Sequence, residues 1–411
     1  MKTKFAIGVL LFAALAVGQA TKPAAKNPAP SGTAPTKSEA ARKPADTAKP
    51  AGNTAAPGLP SRATAESFIH HAFGWDPQSK LTVKDVKWSP AATVAEIDVH
   101  AETPTGPGDR AIYVTSDHKN TIAGQMFPFG GQPGVKPTEA QVDAFVKQIT
   151  ANNPGLTWTV LEVKPNALDN LTEVTVVLTN AQGQRGGQRF WVTPDGQHVL
   201  LGENGPFGAD PFAAARAELT NGINGPSKGP ATATILLVEF GDLECPSCKA
   251  AVPIVERLLK EVPNSRLVFQ QFPLTQIHHW AYKAAQFGDC IARQNNGAYW
   301  KFMDAVYGAQ EDISGHVESS DPNKKPDLSY AEQKLTELAG QSGMNGKQIA
   351  TCAADPSTSN RVDRSMELGK HMQVTGTPTL FINGRKIQTL GSMPYDSLKR
   401  LVEFMGSPAA R

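Results

Sequence analysis

Hydrophobic positions along this chain change period, and the changes mark its parts. From about residue 61 to residue 208, short runs alternate apolar and polar positions, with Val174 and Val176, then Phe190 and Val192, on the inward side. A period of two is the signature of half-buried strands. Asp117-His118 and Asp195-Gly196 sit between such runs as hairpin turns. Residues 235–240 are instead continuously apolar apart from Glu239, as expected of a strand buried on both faces. Residues 249–260 then carry apolar positions at helical spacing, and so do residues 279–292, 297–307, 329–340, 345–353 and 357–372. A last short strand is predicted at residues 380–382, closed by the hairpin signal Asn383-Gly384.

The alternating region is an internal repeat. Phe68-Ile69 recurs as Phe145-Val146, Pro77 as Pro154, Thr82-Val83 as Thr159-Val160, Val86-Lys87 as Val163-Lys164 and Glu96 as Glu173, at an offset of 77. One inserted residue shifts the offset to 78, where Val114-Thr115-Ser116-Asp117 matches Val192-Thr193-Pro194-Asp195 and Gly124 matches Gly202. Each copy reads as one helix followed by about four strands, which gives two α+β modules, residues 61–135 and 136–209. Asp210-Pro211 supplies an N-cap and first-turn proline for a helix at 212–219, and the glycines and prolines of 221–230 read as a hinge. Residues 210–230 thus form a linker helix and hinge before a last domain at 231–411.

Composition changes the picture at the N-terminus. Lys2 and Lys4 precede an apolar run at 5–17 and the small residues Gly18-Gln19-Ala20, so residues 1–20 read as a secretory signal peptide, with an uncleaved anchor as the alternative. Residues 21–60 are mostly Ala, Pro, Lys, Thr, Gly and Ser, too poor in apolar side chains to build a core, and read as a disordered linker. No later apolar stretch approaches the roughly 18 residues that span a bilayer. The expected location is therefore periplasmic or secreted. The net charge is only +2, from 40 basic and 38 acidic residues, which leaves no argument for a nucleic-acid partner.

The chemistry concentrates in Cys245-Pro246-Ser247-Cys248, between the buried strand and the amphipathic helix. A helix N-terminus presents unsatisfied N–H groups and the positive end of the macrodipole, so a thiolate at Cys245 is stabilised. Cys248, one turn on, is placed to resolve a mixed disulfide. Glu239 lies inside the apolar strand, six residues before Cys245, where a carboxylate adds no stability unless its proton is used. Asp242 and Glu244 would raise the Cys245 pKa if close. His278-His279 and His70-His71 read as exposed helix positions, since adjacent helical residues point in different directions.

A carboxylate six residues before the first cysteine, Pro253 five after the second, and Gly376-Thr377-Pro378 before the last hairpin resemble the thioredoxin superfamily. The resemblance implies that Pro378 is a cis-proline opposite the dithiol, with Thr377 before it. It further implies that Pro246, Ser247, Gly376 and Thr377 border the substrate peptide. A helical block at about residues 275–372, together with Phe272-Pro273-Leu274, Ala284-Ala285 and Tyr299-Trp300-Lys301-Phe302, resembles the DsbA-like branch. The stretch Trp191-Val192-Thr193-Pro194-Asp195-Gly196-Gln197-His198 resembles the cystatin-like N-terminal domain of DsbC and DsbG, although duplication in one chain departs from that family. The expected fold class is an α/β thioredoxin-like fold with an inserted helical subdomain, preceded by two repeated α+β, cystatin-like modules.

Four cysteines form an even set, and Cys290 and Cys352 lie on separate predicted helices, so a structural disulfide between them is expected. A zinc site using all four is the competing reading, in which Pro246 and the proline signature near Pro378 have no role. The expected function is an exported thiol-disulfide oxidoreductase acting on secreted or envelope proteins. Cys245 would attack, Cys248 resolve, Glu239 carry the proton, and Thr377 and Pro378 hold the substrate. The pair of cysteines would need no cofactor or metal, and a membrane redox partner would reset it. An isomerase or reductase kept reduced by that partner is one alternative. An envelope chaperone with little redox role is another.

Overall fold

The computed structural model describes residues 58–103, 106–151, 153, 155–181, 183, 185–317, 326–387, 390 and 393–407. The expected signal peptide, the expected linker up to residue 57, and Pro154 of the repeat lie outside the described residues. Among the described residues, contacts define two compact units, one built on Thr82–Ala101 and Pro107–Gly208, the other on Glu66–Leu81, Glu102–Gly106 and Ala209–Arg411.

In the repeat region, α1 (Arg62–Phe73) precedes β1 (Lys80–Trp88), β2 (Ala95–Thr103), β3 (Gly106–Val114) and β4 (Asn120–Pro128). The second copy places α2 (Glu139–Ile149) before β5 (Thr157–Leu168), β6 (Leu171–Thr179), β7 (Arg185–Val192) and β8 (His198–Pro206). The strands join into one sheet in the order β1-β2-β3-β4-β8-β7-β6-β5. At the seam β4 runs antiparallel to β8, and Gly124 faces Gly202. Because the copies are offset by 78 there, each of these glycines faces its own repeat image, and a local two-fold axis passes between them. A Cβ on Gly124 would lie 2.1 Å from the Leu201 carbonyl oxygen, and one on Gly202 would lie 2.3 Å from that of Ala123, so the seam requires glycine on both sides.

The repeat persists in the hydrogen bonds. Thr115 Oγ1 donates to Asp117 Oδ1 at 2.6 Å and Thr193 Oγ1 to Asp195 Oδ1 at 2.5 Å, each closing the turn of one copy. Helix α2 opens with a capping box of Thr138 and Gln141 and lays Val142, Phe145, Val146 and Ile149 on Val174, Val176, Phe190 and Val192. On the other face Trp191 and Leu200 pack with Tyr113 and Ile122 of the first copy. The two copies therefore share a core as well as a sheet.

The second unit holds α3 (Ala213–Gly222), β9 (Ser227–Lys228), β10 (Ile235–Gly241), α4 (Pro246–Glu261) and β11 (Ser265–Gln271). Helices α5 (Ala281–Gln294), α6 (Asn296–Gly308), α7 (Gln310–Val317), α8 (Ser329–Gln341), α9 (Gly346–Ala353) and α10 (Pro356–His371) follow, then β12 (Thr379–Ile382), β13 (Arg385–Ile387) and α11 (Tyr395–Gly406). The sheet order is β13-β12-β10-β11-β9, with β10 and β11 parallel. Central β10 explains its own sequence. Ile235 and Leu237 point toward α4 and α11, Val238 and Phe240 toward α3 and α10, and both faces are covered. The Asn383-Gly384 turn has both residues at positive φ, 45° and 88°, as a tight hairpin demands.

Two expectations are corrected. Residues 221–230 are not a hinge: β9 pairs with β11, and the Asn224 and Gly225 amides donate to Gln270 Oε1 at 3.0 and 2.8 Å. A Cβ at Gly225 would stand 1.8 Å from the Phe269 carbonyl oxygen, so this glycine serves close backbone approach rather than freedom. Asp210 does not cap at the expected place, since the helix starts at Ala213 with Phe212 as N-cap, while the Asp210 carboxylate accepts from the Phe212 amide and pairs with Arg216. Helices α7 and α11 went unread.

Candidate active site

The dithiol sits where β10 hands over to α4. Cys245 is the N-cap of α4, with extended φ −74° and ψ 120°, and Pro246 takes the first helical position, where a missing N–H costs nothing. Cys248 lies one turn in and is fully buried, whereas Pro246 and Ser247 are exposed beside it. Neither cysteine is in a disulfide. The Thr377–Pro378 peptide bond is cis, and Cys245 Sγ donates to the Thr377 carbonyl oxygen at 3.5 Å. Gly376, next to it, accepts from Thr379 Oγ1 through its carbonyl oxygen. The structure therefore brings together Cys245, Cys248, Pro246, Ser247, Gly376, Thr377 and Pro378, from segments 130 residues apart in sequence.

The two thiols are electrostatically unlike. Hydrogen bonding from Cys248 holds Cys245 down to about 6 against the opposing effect of burial, with further help from Thr377 and the Cys248 amide. Burial first, and then the interaction with Cys245, pushes the Cys248 thiol well up. Asp242 raises Cys245 as its sequence position suggested, but its charge is the smallest of these influences.

Glu239 points from β10 toward α4 and is 5% exposed; burial lifts its carboxyl to about 7. It lines a small cavity with Phe269, Tyr307, Trp300, Lys228 and Glu256, whose free volume of about 20 Å³ matches one water molecule. Two buried polar atoms nearby, Gln271 Oε1 and Tyr307 Oη, have no protein partner.

Several residues of the site escaped the sequence reading. Gln310, at the start of α7, donates through Nε2 to the Leu243 and Cys245 carbonyl oxygens at 2.9 and 3.2 Å and pins the loop before the dithiol. His278 is not an exposed helix residue: its side chain is 16% exposed, and Nδ1 lies 2.7 Å from Asp242 Oδ2. His279 is exposed, as expected. The only available signal for Gln310 was the acidic first turn Glu311-Asp312 with Ile313 and Val317 at helical spacing.

Away from the dithiol, Cys290 and Cys352 form a disulfide joining α5 to α9. Arg293 Nη2 stands 3.4 and 3.2 Å from the two sulfurs and donates to Thr358 Oγ1 at 2.9 Å. With two cysteines so paired, the four do not form one ligand set. Among the described residues no helix is long and apolar enough to cross a membrane.

Residues 222–403 match a family model described as thioredoxin. Over 160 residues, 39% of this chain, the sequence is 31% identical to the Na(+)/H(+) antiporter NhaA 3 of Salinispora tropica, of which that stretch spans 22%. The chain thus covers about a fifth of the antiporters it matches. It is also 25% identical over 181 residues to the probable disulfide bond formation protein D of Bacillus cereus, covering 43% of this chain and 76% of that protein. A solved thioredoxin-like oxidoreductase from Silicibacter pomeroyi shares 24% identity at a TM-score of 0.36, covering 46% of this chain and 95% of that one.

Proposed function

Taking residues 222–403 as a thioredoxin-like domain, we propose that the protein is a thiol-disulfide oxidoreductase that introduces disulfides into exported proteins. The observation that carries this reading is the inequality of the two thiols, one held near 6 at a helix N-terminus and beside the cis-proline, the other buried and protonated. In the oxidising direction a substrate thiolate attacks Cys245 Sγ of the Cys245–Cys248 disulfide, and Cys248 leaves as a thiolate. A second substrate thiolate then attacks its own sulfur in the mixed disulfide and expels Cys245, whose low pKa makes it a good leaving group. The electron pair remains on the dithiol, and an oxidant of the quinone or disulfide class resets it. Export agrees with the Cys290–Cys352 disulfide, which persists in an oxidising compartment.

Stabilising the Cys245 thiolate stabilises the reduced form, so the disulfide form is the stronger oxidant. The test is the reduction potential of Cys245–Cys248 by equilibration with glutathione in a variant lacking Cys290 and Cys352. The expected value lies nearer the DsbA end, roughly −120 mV, than the thioredoxin end, roughly −270 mV. A value at the thioredoxin end overturns net oxidation and makes the protein a reductase or isomerase.

Glu239, whose charge acts on Cys248, takes the proton of Cys248 when that thiol must attack. Glu239→Gln therefore slows resolution of a Cys245 mixed disulfide at pH 7 by on the order of a hundredfold, the low end for a positioned base, and leaves Cys245 alkylation unchanged. The same variant has a stability signature. The folded-state pKa, about 7, is raised above the ordinary 4.5, so the fold is undisturbed by this carboxyl below pH 4.5 and loses stability as pH rises from there to about 7, where the loss levels off. Gln at 239 stabilises by about 3 kcal/mol at pH 8 and by less at pH 5, measurable by urea unfolding. Equal resolution rates in both proteins would remove Glu239 from the mechanism.

A further inference from the structure

The loop between β10 and α4 carries two buried carboxylates, Asp242 and Glu244, just before the reactive cysteine. Their partners are nearly all backbone amides. Asp242 Oδ1 accepts from the Glu244 amide at 2.8 Å and Oδ2 from the Leu274 amide at 2.8 Å; Glu244 accepts from the His279 and Trp280 amides at 3.2 and 2.7 Å. Among the described residues, the one side chain bonded to either carboxylate that can carry positive charge is His278, with Nδ1 at 2.7 Å from Asp242 Oδ2. The dipeptide between the cysteines, Pro246-Ser247, brings no cation of its own.

Asp242 is also the residue through which this loop touches both sulfurs' surroundings. Its amide donates to Cys248 Sγ at 3.4 Å, and its carbonyl oxygen accepts from the Cys245 amide at 3.1 Å. We infer that His278 is a positioning residue of the exchange reaction: its imidazolium holds Asp242 in place and offsets the negative charge that the loop turns toward the Cys245 thiolate.

The groups facing His278 are Asp242, Glu244 and Cys245. Burial lowers its proton affinity, but the bond to Asp242 and the charges of all three outweigh that, and the imidazole is raised above its ordinary value. Coupling is reciprocal. A thiolate at Cys245 helps His278 keep its proton, and converting that thiolate to a neutral disulfide releases part of this hold. As pH rises through the His278 titration the cation is lost, Asp242 stands uncompensated, and the thiolate is destabilised.

The inference rests on the exchange reading, and the two are separable by one experiment. Cys245 thiolate is titrated by iodoacetamide alkylation from pH 4 to 9 in the full-length reduced protein, in wild type, His278→Gln and His278→Lys. Gln keeps a donor toward Asp242 without charge, and Lys keeps the charge without titrating in this range. The thiolate-to-thiol ratio at pH 6 is expected to fall at least about threefold in H278Q, half a pKa unit, and to return to the wild-type level or above in H278K. A low wild-type pKa unchanged in H278Q overturns this inference alone, as does an H278K protein that titrates like H278Q. A wild-type Cys245 that titrates as an ordinary thiol overturns the exchange reading and this inference with it.

Discussion

Cys245→Ser is expected to abolish disulfide exchange, and Cys248→Ala to leave a protein that forms mixed disulfides without resolving them. The asymmetry follows from the site. Cys245 is at the helix N-terminus, with its sulfur against the Thr377 carbonyl and its pKa held to about 6. Cys248 is fully buried, and its thiol is pushed well up, so an external disulfide meets Cys245 first. At pH 7 Cys245 is mostly thiolate, and its reactivity should fall as pH drops through about 6. The reduced fold loses the stability this thiolate confers at higher pH, because a depressed folded-state value contributes fully above the ordinary thiol value of 9 and the contribution drains away as pH falls from there to about 6. The measurements are turnover on a reduced unfolded protein for C245S, and trapped covalent complexes on non-reducing gels for C248A. Client binding and protection that survive intact in C245S, with no exchange activity in the wild type, would make the protein a chaperone.

Removing the Cys290–Cys352 bridge is the largest expected loss of stability. The bond closes a loop across a sequence separation of 62 and ties α5 to α9. In the chain-entropy model such a loop contributes about 4 kcal/mol by restricting the unfolded chain. Cys290→Ala/Cys352→Ala should therefore melt about 10 °C lower than its parent, both in the C245S background so that the dithiol does not reshuffle. Arg293 keeps its bonds to Asp289 and Thr358 in the variant, so local collapse is limited. Unchanged melting, with both substitutions confirmed by mass, would show that the helical insertion holds without the bridge.

The site was partly legible before any fold was known. Cys245, Cys248 and Glu239 announce themselves locally, as thiols at a helix start and a carboxylate in an apolar strand, whereas Pro378 was legible only through the resemblance to the thioredoxin superfamily. Gln310 and His278 do not stand out in either way. A glutamine opening a short helix and a histidine between an exposed isoleucine and another histidine look like ordinary surface residues until the chain folds back and α7 and residues 274–280 are set against the dithiol loop. The hinge reading of residues 221–230 failed for the related reason that glycine permits two opposite outcomes. At Gly225 it allows the strand beside it to come close, and the segment is fixed by Gln270, a residue whose position on β11 no local pattern reveals.

Periodicity, the repeat and the dithiol were thus decided by the sequence alone, because each depends on residues within one helix turn, one strand or one fixed offset. The joining of two modules into a single sheet through Gly124 and Gly202, the hydrogen bonding and burial that set the two thiols apart, and the His278–Asp242 pair were decided only by tertiary structure. Desolvation and long-range pairing are properties of what surrounds a residue, and most of what surrounds these comes from elsewhere in the chain.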